Sequence, residues 1–184
     1  MRTITLVVIH CSAVRPDQTS SVAQIDTWHR QRGFKLGIGY HYVIRRDGTI
    51  EPGRPEWMVG AHCHVEGQNH NKYSIGICYE GGLDIRGQPA DTRTAEQKQT
   101  MRKLLKELHE RYPRAVIVGH HDLNPHKDCP CFDAVSEYKD LQLFRLQVGI
   151  LFRYINDART VLVWVQVVMP DYHGSGVALV QFFE

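Results

Sequence analysis

Thr3-Ile4-Thr5-Leu6-Val7-Val8-Ile9-His10 is a β-branched run that ends on an imidazole. Such a run predicts a strand buried on both faces, and a strand of that kind needs helices on either side of its sheet. The segments that follow supply them. Ser21-Val22-Ala23-Gln24 fits a capping box, and the chain to Arg32 reads as a helix that places Val22, Ile25 and Trp28 on one side and stops at Gly33. Tyr40 to Arg46 and Thr49 to Glu51 flank Asp47-Gly48, a strong hairpin signal. Residues 52–72, rich in Gly, Pro and His, read as irregular, and Ser74 to Glu80 as a further strand. Thr94-Ala95-Glu96-Gln97 opens a second capped helix. Its Met101, Leu104, Leu105 and Leu108 share one face, and it ends at Pro113. Ala115 to Val118 is a short buried strand before a polar loop from Gly119 to Asp133. Strands alternating with helices give an α/β class: a mixed central β-sheet flanked by helices on both sides.

Composition narrows the chemistry. The chain has 184 residues, enough for one domain with a core of its own, and its 42% hydrophobic content excludes disorder. A net charge of +2 gives no electrostatic footprint for nucleic acid, and no apolar run reaches the length of a membrane span. The Met1-Arg2-Thr3 start followed by Ile4 to Ile9 has the outline of a leader. It lacks a small-residue cleavage site, so synthesis in the cytoplasm without a cleaved signal peptide is expected. The 5 Cys are odd in number and scattered, which is not a disulfide framework; with 11 His they point to metal.

Three places at strand ends carry metal-type ligands: His10, the His120-His121 pair and Cys129. Zinc takes imidazole nitrogen and thiolate sulfur, and catalytic sites use three protein ligands with a fourth position open. The loop from His120 to Cys129 is long enough to return its thiolate to an ion held by the histidines. Spacing alone does not choose within the pair.

Several blocks occur in a fixed order: Val8-Ile9-His10-Cys11-Ser12-Ala13, Gly39-Tyr40-His41, Arg46-Asp47-Gly48-Thr49-Ile50-Glu51-Pro52-Gly53-Arg54, Gly60-Ala61-His62, Asn69-His70-Asn71, Ser74-Ile75-Gly76-Ile77-Cys78, Gly119-His120-His121-Asp122 and Lys127-Asp128-Cys129-Pro130-Cys131-Phe132-Asp133. Together they resemble the zinc-dependent N-acetylmuramoyl-L-alanine amidases of the type-2 family, above all the T7 bacteriophage lysozyme branch and the peptidoglycan-recognition proteins. The resemblance covers roughly residues 1–140. It implies hydrolysis of the amide bond between N-acetylmuramic acid and L-alanine in peptidoglycan, and one zinc ion per chain held by His10, His120 and Cys129. It also implies catalytic roles for Tyr40 and Lys127 and a substrate-contacting place in the cleft for His62. One departure is an additional residue at His126, just before Lys127.

The alternatives are a non-catalytic peptidoglycan-binding module or a protein-interaction role. The ligand Cys is commonly missing from the non-catalytic members, and here Cys129 is present. The wall-recycling branch carries Asp where this chain has Cys129, which favours an endolysin-like or prophage enzyme acting on the whole wall once released. Trp28 and Trp57 are expected to fill core or loop-anchoring positions, and His121 to organise its loop. The domain is expected to span residues 1–141. Residues 142–184 form an extension: Leu143 to Ile155 could be helical, and Val161 to Val168 and Val177 to Phe183 read as strands. That pattern suits a hairpin packed on the same domain or a surface for self-association.

Overall fold

The computed structural model of the protein describes residues 2–65, 67–142, 162–166 and 177–181. The chain divides into two compact units, Met1–Gln142 and Leu143–Glu184.

In the first unit, β1 (Leu6–Cys11) pairs in parallel with β6 (Ser74–Tyr79) on one side and with β7 (Val116–Gly119) on the other. Outside β6 lie β2 (Tyr42–Ile44), parallel to it, and β3 (Ile50–Pro52), antiparallel to β2 across the Asp47-Gly48 turn. The order is β3-β2-β6-β1-β7, the mixed sheet expected from the alternation of segments. Every residue of β6 is buried, as are all of β1 except Leu6. Each fully buried aliphatic side chain contributes about 1.5–3 kcal/mol, so these two strands anchor the domain.

Side chains alternate across a strand, and here the two faces meet different helices. Val7, Ile9, Ile75, Ile77 and Tyr79 pack against Met101, Leu104, Leu105 and Leu108 of α2 (Ala95–Arg111). On the other face Val43 and Cys78 meet Ile25 of α1 (Val22–Gln31), with Trp28 and Tyr40 beside them. The α2 start carries the full capping box, Thr94 and Gln97 exchanging both bonds. At α1 Ser21 caps the Gln24 N–H, while the Val22 N–H goes to Glu51 Oε2 at 2.6 Å. A hairpin carboxylate thus completes that cap.

Two expectations need correction. Residues 52–72 are not wholly irregular: β4 (His64–Val65) and β5 (Gln68–Asn69) form a short antiparallel ladder, followed by one 3₁₀ turn over His70–Tyr73. The turn forms because the Asn69 side chain accepts the Asn71 N–H. Trp57 fills no core; it is 72% exposed, whereas Trp28 packs as expected. In the second unit β8 (Leu162–Gln166) and β9 (Val177–Gln181) pair antiparallel. The helical reading of Leu143 to Ile155 lies outside the described residues. Among the described residues no helix is long and apolar enough to cross a membrane.

Two buried histidines brace the α1 side of the sheet in their neutral form. The Gly39 N–H donates to His29 Nδ1 at 2.9 Å, and the Gly76 N–H donates to His41 Nδ1 at 2.9 Å while His41 Nε2–H reaches the Met58 carbonyl. Burial pushes both rings down from 6.5 to about 4. A proton on either Nδ1 would abolish a backbone hydrogen bond. Because the folded pKa values lie below the unfolded ones, this stabilisation is full above about pH 6.5 and declines as pH falls toward about 4. With chelator present, the melting temperature should therefore fall between about pH 7 and pH 5, and unfolding should take up protons. A melting temperature flat across that range would contradict these assignments.

Candidate active site

The alternation of β1 decides where its last side chains go. Ile9 and Cys11 enter the α2 core, so His10 emerges on the α1 face near the carboxyl end of the sheet. The neighbouring strand β7 ends at Gly119 and runs straight into the short α3 (His120–Leu123), which delivers His120 beside it. The two rings lie 4.6 Å apart between centroids. Cys129 comes back on the following loop, its Sγ 3.7 Å from His10 Nδ1.

Local structure holds that loop in place. The Cys129 carbonyl accepts the His121 N–H at 2.7 Å, and the Tyr79 hydroxyl donates to the Pro130 carbonyl at 2.7 Å. Gly119 permits the approach, since a Cβ there would sit 2.6 Å from Pro130 Cδ. Beyond the loop the Arg93 guanidinium lies over the Phe132 ring at 3.2 Å and pairs with Asp91 and Glu137 of α4 (Ala134–Glu137). The Arg93 side chain is fully buried while its two carboxylate partners are part-exposed, and the guanidinium ties the segment after Cys129 to both.

One ligand atom each from His10, His120 and Cys129 fits within 4.8 Å of the others, and this is the only such group of His, Cys or acidic residues among the described residues. The donor set suits zinc: two imidazoles and one sulfur, with room for a fourth ligand. Burial lowers the His10 pKa well below 6.5, and it lowers that of His120, helped by the Lys127 charge. Both rings are thus held neutral, as metal ligands must be. The Cys11 N–H donates to Cys129 Sγ at 3.2 Å, a bond suited to a thiolate. The other members of the His and Cys clusters turn elsewhere. His121 faces Asp122 at 3.3 Å, and Cys131 Sγ reaches the Gly82 carbonyl at 3.2 Å.

The group opens on a cleft of about 310 Å³ whose wall includes Phe34, His62, Asn71, His120, Asn124 and Lys127. His126 is exposed in a tight turn, with the Lys127 N–H donating to the Asn124 carbonyl at 3.0 Å, and Lys127 lines the cleft. Tyr40 lies beside the metal-type group, its ring centroid 5.1 Å from that of His10. Burial, with nearby thiols adding to it, pushes its phenol well above 10, so it is a proton donor at neutral pH.

His62 is also here, but its nitrogens face inward. Nδ1 is 3.0 Å from His10 Nε2, and Nε2 is 3.2 Å from Ser74 Oγ. Asn71 Oδ1 accepts the backbone N–H groups of His62 and Cys63 at 2.8 and 2.9 Å, which fixes the segment. The sequence reading missed Ser74 and Asn71. A signal was present in the small residues Ser74, Gly76 and Cys78 at every second place of a strand, which leave one face free for a ring to lie on.

The sequence model of the N-acetylmuramoyl-L-alanine amidase family matches residues 1–132. The endolysin of Escherichia phage T7 is 45% identical over 127 residues, covering 69% of this chain and 80% of that protein. Among solved structures, the endolysin amidase LysCS of Clostridium intestinale superposes with a TM-score of 0.63 at 30% identity, covering 76% of this chain and 83% of that one. Drosophila PGRP-LB shares the fold, with a TM-score of 0.60 at 22% identity over 86% of this chain and 88% of its own. A family match over most of the chain, with a fold to agree, places this protein among the N-acetylmuramoyl-L-alanine amidases.

Proposed function

We propose that the chain cuts the amide bond between the lactyl group of N-acetylmuramic acid and L-alanine with one zinc ion held by His10, His120 and Cys129, and that it acts on the cell wall once released from the cytoplasm. The observation that carries this reading is the convergence of two neutral imidazoles and one sulfur at the cleft. Zinc in such a site supplies a Lewis acid that makes hydroxide available near neutral pH and polarises the scissile carbonyl.

The remaining work falls to the chain's own side chains. Water adds to the carbonyl carbon, and negative charge grows on the carbonyl oxygen. The Lys127 ammonium on the cleft wall is suited to stabilising that oxygen. The amine of alanine leaves with a proton, and the lactyl group leaves as a carboxylate. Tyr40, kept as a neutral phenol, is suited to orienting the attacking water or donating a hydrogen bond, not to acting as a base. The turn that absorbs His126 supports this role for Lys127. In this account residues 142–184 take no part in catalysis.

Purified protein should carry about one zinc per chain, and His10→Ala, His120→Ala or Cys129→Ala should each lose most of it, because three ligands leave no redundancy. Zinc retained in Cys129→Ala would move the third ligand elsewhere.

Tyr40→Phe and Lys127→Ala should keep zinc and fold while losing turnover, on the order of a hundredfold for a missing oxyanion donor. Digestion of peptidoglycan by the parent should release alanine amino termini and no new reducing ends. New reducing ends would mean glycosidase chemistry and would end the amidase reading.

A chain ending at Leu141 should keep zinc and cleave soluble muropeptide, with light scattering on both forms showing whether the extension drives self-association. A truncated chain that binds zinc but cannot cleave would make the extension part of the active site.

A further inference from the structure

His62 sits between a candidate metal ligand and a buried strand hydroxyl. His10 Nε2 is 3.0 Å from His62 Nδ1, while His10 Nδ1 is the nitrogen turned toward Cys129 Sγ, at 3.7 Å. A hydrogen bond between two imidazole nitrogens holds one proton. If that proton is on His62 Nδ1, His10 must carry its own on Nδ1 and cannot offer that atom to a metal. If it is on His10 Nε2, the Nδ1 lone pair is free. The second arrangement also suits the far side of His62, because its neutral ring then carries a proton on Nε2 that Ser74 Oγ, 3.2 Å away, can accept.

The surrounding backbone is shaped to keep this ring in place. A Cβ on Gly76 would lie 2.5 Å from His62 Cδ2, and one on Gly60 would meet the same atom at 2.5 Å. Only two residues without side chains let the imidazole lie flat against β6. Asn71 Oδ1 accepts the His62 backbone N–H and so fixes the segment that carries the ring. Ser74, at the strand start, is fully buried.

We infer that His62 is a positioning residue for the metal centre: with Ser74 behind it, it accepts the His10 Nε2 proton, fixes the His10 tautomer and aims Nδ1 at the ion. Its nitrogens are therefore spent on the protein, although the residue lines the cleft. This replaces the substrate contact expected for His62 from the family resemblance, and it rests on the zinc reading proposed above. Partners of this kind orient a ligating histidine, and their loss commonly weakens metal binding by about 10–100-fold.

The test is zinc affinity, measured by competition with a chromophoric chelator on the full chain, alongside the melting temperature of the metal-free form. His62→Leu keeps bulk but offers no acceptor, and zinc should bind about 10–100-fold more weakly. His62→Asn places a carbonyl oxygen near the old Nδ1 position and should regain most of that affinity. Ser74→Ala, which removes one oxygen atom and leaves the strand's packing in place, should weaken zinc in the same direction by a smaller factor. The inference is overturned if His62→Leu binds zinc as tightly as the parent while KM for muropeptide rises, which would make His62 a substrate contact. It is equally overturned if His62→Leu and His62→Asn weaken binding alike, since the acceptor would then be irrelevant. Should His62→Leu fail to fold, unchanged zinc affinity in Ser74→Ala overturns it. A parent protein that takes up no zinc defeats the metal reading first, a result distinct from all of these.

Discussion

In β1, Ile9 and His10 leave the backbone on opposite faces of the sheet because side chains in a strand alternate. That constraint organises the domain. With Val7, Ile9 and Cys11 committed to the α2 core, His10 has one place to go: the α1 face, near the carboxyl end of a strand paired on both sides. A slip of one residue would turn the imidazole into the α2 core and the aliphatic set toward the α1 face, so the same packing that stabilises the sheet also fixes the register of the site. The neighbouring strand β7 ends level with it, Ile9 facing Gly119, and His120 follows at once.

Electrostatics at this point work with the packing. Burial is the first cause of the lowered pKa of His10, His62 and His120, and their mutual proximity adds to it for the first two. Three neutral imidazoles in a small volume cost little, whereas three charged ones would repel and lose solvation. A divalent cation held there would draw on the free lone pairs of His10 and His120 and on the Cys129 sulfur, which already accepts a hydrogen bond from the Cys11 N–H. The positive group that remains at the cleft wall, Lys127, is carried on an exposed turn rather than in the core, so its charge stays solvated on one side.

Much of this was legible in the sequence because it is written in local periodicity. The β-branched run of β1, the Thr94–Gln97 cap, the leucine face of α2 and the Asp47-Gly48 turn each carry their signal within a few residues, and each appears in the fold. The three candidate ligands were legible from ordered blocks rather than from periodicity. What escaped was long-range. The bond from His62 to His10 joins residues 52 apart in the chain, and the cap on α1 is completed from Glu51, 29 residues away. Nothing near Trp57 marks it as exposed, since its neighbour Glu56 is the residue drawn inward, toward Arg2, Tyr42, Arg111 and Tyr112. The short ladder of β4 and β5 depends on Asn69 and Asn71 side chains, turn chemistry that a Gly- and His-rich composition conceals.

The proposed metal centre is built from two imidazoles and one thiolate, those of His10, His120 and Cys129. Zinc K-edge X-ray absorption on the purified chain reads that first coordination sphere directly. The expected spectrum has one sulfur at about 2.3 Å and nitrogen scatterers at about 2.0–2.1 Å with the multiple-scattering pattern of two imidazoles. Two sulfurs would bring Cys131 or Cys11 into the site, and a shell with no sulfur would remove Cys129 from it; either result would contradict the centre described.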